Sequence, residues 1–273
     1  MVLLPAGFGD RLRRGEVLFG PLVQISSPAL MEVLGLAGFD FVVLDREHGA
    51  LSVMDVELLA RACASTGLTP LVRLRSPVAA EISAVLDTGV AGVHVPRVES
   101  PETAVAVVKA ARFFPAGQRG LNPFVRAASY SHDPVAEFVT KSNQEVVVVI
   151  CVEGSMALTC LDEILAVGGI DVIFLGPYDI SHALGIPGEV THPRVIEAVG
   201  GAMSRVVGHG LVAGVFTSTV EGARLWVERG AQYIVFSVDT RLYLETGKLT
   251  VQELRALKDE ARSRGVKKTS VST

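Results

Sequence analysis

Eight short apolar runs, separated by longer amphipathic stretches, constrain this chain more than any other feature. They read LVQIS (22–26), FVVLD (41–45), PLVRLR (70–75), GVHVP (92–96), VVVVICVE (146–153), VIFLG (172–176), LVAGVF (211–216) and YIVFSV (233–238). Most are continuous rather than alternating, as expected of parallel strands buried on both faces. Between them lie helical patterns at 28–37, 52–66, 77–89, 100–113, 155–168, 193–208, 218–229 and 239–246, with a further helix at 250–265. Start and stop signals frame them: Ser52 as an N-cap, Pro77 at a helix start, Gly38, Gly89 and Gly230 at helix ends. Strand–helix alternation repeated eight times predicts an α/β fold, a single (β/α)8 TIM barrel over 1–265 with an extra C-terminal helix and a disordered tail at 266–273. An open doubly wound sheet would need a Gly-rich turn after the first strand, and ISSPAL offers none. The long stretch 114–145 between strands four and five reads as a loop or lid on the active face.

The chain has 273 residues, enough for one barrel, and a net charge of −4 with both signs mixed along it. That leaves no electrostatic footprint for nucleic acid. No apolar run is long enough to span a membrane, and the N-terminal charges follow the apolar residues, the wrong order for a signal peptide. Three cysteines, Cys63, Cys151 and Cys160, have no metal-type spacing and suggest reduced thiols and a cytoplasmic location.

In a barrel, reacting groups belong at C-terminal strand ends. Strand two ends in Asp45-Arg46-Glu47-His48, strand three carries Arg73 and Arg75, strand four ends in Pro96-Arg97, strand five in Glu153, and strand six runs into Gly176-Pro177-Tyr178-Asp179. Glu153 closes an apolar strand, where a carboxylate must be paired or metal-bound. Asp179 follows one βα unit later, and two carboxylates with substrate oxygens suit Mg²⁺ or Mn²⁺. Pairing of Glu153 with Arg73 or Arg119 is the structural alternative. His48, three residues from Asp45, suits a general base whose tautomer Asp45 fixes, or a hydrogen-bonded strand-end histidine. His94, inside strand four, is expected to pack or bond locally. Arg73, buried in its strand pattern, needs an anion. Gly176-Pro177 could turn backbone N–H groups toward an anionic substrate. None of the six lysines ends a strand, which argues against Schiff-base chemistry.

These segments resemble the HpcH/HpaI aldolase family of metal-dependent pyruvate aldolases. The resemblance runs over about 15–245 and is carried by FDFVVLDREHG, PLVRLR, VLDTGVAGVHVPRVES, FPAGQRG, VVICVEG and GPYDIS followed by LGIPG. It implies Glu153 and Asp179 as metal ligands, with Mg²⁺, Mn²⁺ or Co²⁺ as the ion. It implies His48 as base with Asp45 as its acidic partner, and Arg73 holding the 2-oxo acid. Asp87 corresponds to an acidic residue near the base, acting across a subunit contact. The backbone around Gly176, Tyr178 and Asp179 corresponds to the segment receiving the substrate carboxylate. The implied reaction splits a 4-hydroxy-2-oxo acid into pyruvate, or a related 2-oxo acid, and an aldehyde. The implied assembly is a hexamer, a trimer of dimers exchanging C-terminal helices. Arg46, Cys151, Gly154, Tyr178 and the LNPFVRA stretch depart from the family pattern, and Arg46 is expected to add a cation near the mouth that favours an acidic aldehyde or a larger dicarboxylate. Alternatives are a macrophomate synthase-like decarboxylase that forms carbon–carbon bonds, citrate-lyase-like cleavage of an acyl-CoA, and a non-catalytic binding barrel.

Overall fold

The computed structural model describes residues 7–263. Eight parallel strands close into one barrel in chain order: β1 (Leu18–Val23), β2 (Phe41–Asp45), β3 (Thr69–Arg73), β4 (Gly92–Val95), β5 (Val147–Val152), β6 (Val172–Leu175), β7 (Val212–Thr217) and β8 (Ala231–Val238). Around them run α2 (Pro28–Leu36), α3 (Val53–Cys63), α4 (Ala79–Asp87), α5 (Pro101–Ala111), α7 (Ser155–Thr159), α8 (Leu161–Leu165), α9 (Pro177–Ala183), α10 (Pro193–Gly208) and α11 (Val220–Val227). Two further helices, α1 (Phe8–Arg13) and α6 (Val135–Glu145), touch each other, and α12 (Asp239–Ser263) ends the described chain. The predicted barrel is therefore observed. No helix among the described residues is long and apolar enough to cross a membrane.

Strand boundaries agree closely except at β1, which lies four residues earlier than read. Gly20 and Pro21 look like strand breakers, yet here they sit at a register shift between β1 and β8, where proline and glycine are tolerated. A Cβ at Gly20 would stand 2.0 Å from the Phe41 carbonyl oxygen, so only glycine lets β1 approach β2 this closely. The helices read as 239–246 and 250–265 are one helix, α12, which runs through Gly247. The tail at 266–273 lies outside the described residues.

The stretch 114–145 is corrected in place and in kind. It follows α5 and leads into β5, so it joins a helix end to a strand start and lies at the N-terminal face, away from the site. It holds a 3₁₀ turn (Arg126–Ser131) and α6. Arg126 donates to the carbonyls of Thr88 and Gly89 at the end of α4, fixing the segment beneath the barrel.

Two apolar layers result. The outer one lies between strands and helices, with Met31, Leu59, Ile82, Leu161 and Met203 wholly buried. The inner one fills the barrel itself with Leu18, Phe41, Val43, Leu71, Val149, Phe174, Tyr233 and Val235, and Phe8 and Leu12 of α1 close it from below. At about 25 cal/mol per Å² buried, both layers stabilise the fold, and the inner one is a packed core rather than a pore.

Candidate active site

At the C-terminal end of the barrel a cavity of about 360 Å³ is lined by Gln24, His48, Arg73, His94, Glu153 and Asp179, with Gly176 to Tyr178 and Phe216 along one wall. Each charged group sits where a strand ends, because there the buried ladder stops and the side chain can leave the core.

Asp45 and Arg73 are the last residues of β2 and β3 and are partners in register. Arg73 donates Nε to Asp45 Oδ1 and a terminal nitrogen to Oδ2, both at 2.9 Å. Such a bidentate pair fixes the guanidinium plane. Burial alone would raise the Asp45 carboxyl, but bonding to Arg73 and Gln24 prevails and holds it below its ordinary value. Asp45 also accepts the backbone N–H groups of Glu47 and His48. Its carboxylate therefore shapes the loop and the arginine, and the expected bond to the His48 ring is absent. The group beside that ring is Glu47, whose Oε2 lies 3.8 Å from His48 Nε2. The His48 side chain is 63% exposed and that of Glu47 only 8%.

Glu47 escaped the sequence reading, although it stands in the DREHG run. Its signal is a carboxylate between a strand end and a histidine. Burial raises its pKa, against Arg73 at 3.5 Å and Arg97 at 3.6 Å. Arg97 itself adopts a left-handed backbone, φ 57°, and turns its N–H onto Glu153.

Glu153, just past β5, and Asp179, in the first turn of α9, converge beside Gly176. A Cβ on that glycine would stand 3.0 Å from Asp179 Oδ2 and 3.1 Å from Glu153 Cγ. The missing side chain gives both carboxylates their room. Burial first, then the like charges of Asp179 and Glu47, push the Glu153 carboxyl up to about 7. The arginine pairing considered for Glu153 is not formed: Arg73 is bound to Asp45 and Glu47, and Arg119 to Asp87.

Among the described residues no cluster of three or more histidine, cysteine or acidic side chains converges on a metal position. The donor set is two carboxylates. A cation there would relieve their mutual repulsion, and all-oxygen donors fit a hard divalent ion. Cys151, buried beneath Glu153, has its thiol pushed well up by burial and by the Glu153 charge, so it is a packing group without thiolate character.

Two residues read from the sequence lie elsewhere. Asp87 ends α4 at the opposite face and accepts from Arg119 at 2.7 Å, so within one chain it does not reach His48. Arg46 turns outward from β2 into the helical layer, bonded to Glu81 at 2.9 Å and to the Leu51 carbonyl, and is buried. It is no cation at the mouth. That position is held by Arg241 on α12, which lines the cavity and pairs with Glu245.

Comparison with known proteins agrees with this geometry. The HpcH/HpaI aldolase/citrate lyase family profile matches residues 17–246. A 2-keto-3-deoxy-L-rhamnonate aldolase of Salmonella gallinarum is 33% identical over 244 residues, 89% of this chain and 91% of that one. Among solved structures, an HpcH/HpaI aldolase/citrate lyase family protein from Burkholderia cenocepacia superposes with a TM-score of 0.86 at 30% identity, covering 91% of this chain and 99% of that one. An HpcH/HpaI aldolase from Desulfitobacterium hafniense gives 0.84 at 30% identity, covering 90% and 96%. With the profile spanning the whole barrel, the chain belongs to the HpcH/HpaI aldolase/citrate lyase family and is a metal-dependent class II carbon–carbon lyase.

Proposed function

We propose that the protein splits a 4-hydroxy-2-oxo acid into pyruvate, or a closely related 2-oxo acid, and an aldehyde, with Mg²⁺ or Mn²⁺ held by Glu153 and Asp179 and Co²⁺ as a further candidate. The observation that carries this is the meeting of those two carboxylates at Gly176, in the same cavity as the Asp45-locked Arg73. When bound, the ion supplies Lewis-acid polarisation of the substrate carbonyl. Arg73, held flat by Asp45, binds substrate oxygen and stabilises charge developing there. The N–H groups of Tyr178 and Asp179, in a first helical turn without intrahelical acceptors, receive the substrate carboxylate. His48, at the open side of the cavity with Glu47 beside it, moves the proton of the aldol hydroxyl.

The relatives' name, 2-keto-3-deoxy-L-rhamnonate aldolase, makes 2-keto-3-deoxy sugar acids the first substrates to try. The exposed apolar side chains of α12, Leu244, Leu249, Leu254 and Leu257, support assembly through that helix into the hexamer, in which Asp87 serves a neighbour's His48. Three free cysteines support a cytoplasmic location.

The test is pyruvate release from a panel of 4-hydroxy-2-oxo acids, before and after EDTA, with Mg²⁺ or Mn²⁺ restored, alongside Glu153→Ala. Cleavage that metal restores in the wild type and not in the variant supports the proposal. Cleavage that survives both treatments overturns it.

A further inference from the structure

Directly below the site, the inner barrel core holds a histidine and a tyrosine side by side. His94 on β4 lines the cavity, is 1% exposed, and is the register partner of Arg73. Its ring meets Phe174 edge-on at 4.4 Å, which pins the imidazole in place. Its Nδ1 lies 3.5 Å from the hydroxyl of Tyr233, a residue stacked at 4.5 Å on Phe41 and wholly buried. Its Nε2 is buried and has no hydrogen-bond partner.

Proton counting favours one tautomer. The imidazole beside Arg73 in an apolar shell is neutral, burial being the main cause and the Arg73 charge the next, so it carries one N–H. If Nδ1 held the hydrogen and donated to Tyr233, the phenol hydrogen and the Nε2 lone pair would both be buried without partners. If the phenol donates to Nδ1, a single group is left over, the Nε2–H. Each buried unsatisfied group carries a desolvation cost, so the arrangement that leaves fewer of them is selected.

We infer that His94 is a substrate-binding residue of this site, offering Nε2–H as a neutral donor, next to Arg73, to an oxygen of the bound 2-oxo acid. The inference rests on the proposed function, since it takes the 2-oxo acid as the occupant of the cavity. A neutral imidazole is suited to this place. It adds a hydrogen bond without adding a second cation beside Arg73, and a neutral histidine donor can serve an oxygen on which negative charge develops.

The experiment measures dissociation constants of pyruvate and of oxalate, a planar dianion shaped like its enolate, on the Mg²⁺-loaded protein. His94→Phe keeps the ring and removes the donor; His94→Gln returns an N–H. We expect oxalate to bind about tenfold more weakly to His94→Phe and within about threefold of wild type to His94→Gln, the worth of one hydrogen bond. Protein labelled with ¹⁵N in its imidazoles gives a measurement that needs no folded His94→Phe. The Nε2–H resonance missing from His94→Gln shifts in the wild type when oxalate is added. Unchanged oxalate affinity in His94→Phe, or a resonance indifferent to oxalate, makes the imidazole a packing group and overturns the inference alone. A wild type that binds neither pyruvate nor oxalate overturns the proposed function and this inference with it.

Discussion

The two ends of the barrel bury acidic groups by opposite rules. Asp171, just before β6 at the N-terminal end, and Glu153, just after β5 at the C-terminal end, both have their pKa raised, and burial is the largest cause for both. The next cause has opposite sign. For Asp171 it is Arg112, at 3.1 Å, with the Val148 N–H and Arg13 also opposing the shift. For Glu153 it is Asp179 and then Glu47, like charges that add to the cost. A buried carboxylate whose neighbours are cations or N–H groups belongs to the fold. One whose nearest charged neighbours are carboxylates is waiting for something the chain does not supply. The distinction lies in the partner, since depth and residue type are alike at both ends.

The comparison breaks first if Glu153 proves structural. Glu153→Gln should abolish metal binding and lower cleavage by on the order of 10³-fold, several kcal/mol of lost transition-state stabilisation. The melting temperature of the metal-free protein should hold or rise, because a repelled charge is gone. Steady-state kinetics and calorimetry on the same preparation check both halves. A large loss of stability would place Glu153 with Asp171 instead.

The reverse substitution tests the other end. Asp171→Asn leaves Arg112, whose side chain is 7% exposed, without its carboxylate. We expect a loss of about 3 kcal/mol in denaturant unfolding, as for breaking a buried pair, with kcat/KM changed less than threefold. A fall in turnover beyond the loss of folded protein would mean that the N-terminal face also supports chemistry.

Titration sharpens the contrast. A carboxyl raised to about 7 binds a cation only after losing its proton, so Mg²⁺ affinity should climb about tenfold per pH unit below 7 and level off above it. In the metal-free protein the sign for stability is the opposite. The folded pKa lies above the unfolded value of 4.5, so stability is fully present below 4.5 and is lost as pH rises through about 7. Asp179→Asn removes the leading like charge and should move the stability curve of the metal-free protein to lower pH. Isothermal titration between pH 5 and 8 reads the affinity, and melting temperature over the same range the stability. A stability curve that ignores Asp179 would leave burial and Glu47 as the causes.

Much of this was legible from residue order. Continuous apolar runs and helix signals gave all eight strands, and strand-end position alone picked out Asp45, Arg73, Glu153 and Asp179. What failed did so for physical reasons. β1 was displaced because its glycine and proline serve a register shift, a tertiary device with no local signature. The 114–145 stretch was assigned to the wrong face because its length was weighed and its place after a helix was not. Adjacency also misled: Asp45 precedes His48 by three residues, yet its oxygens are taken by Arg73, Gln24 and backbone N–H groups, leaving Glu47 as the ring's neighbour. Tyr233 and His94 lie 139 residues apart and meet only because β4 and β8 face each other across a closed barrel.

Arg46 gives the smallest expected effect and tests whether partner or location decides. It stands at the catalytic end, one residue past β2, where a charge would be read as functional. Its guanidinium nevertheless turns away from the cavity, meets Glu81 at 2.9 Å and the Leu51 carbonyl at 3.2 Å, and is 6% exposed. By the rule drawn from Asp171 and Glu153 it belongs to the fold despite its position. Arg46→Met keeps the apolar stem and should cost about 1–2 kcal/mol of stability, the partly buried Glu81 retaining the Arg75 N–H as a weaker partner. The ratio of kcat/KM for an acidic over a neutral aldehyde, in the condensation direction with pyruvate, should change less than twofold. A shift of tenfold toward neutral aldehydes would show that the charge reaches the cavity through the low-dielectric wall, and that position at the strand end outweighs pairing.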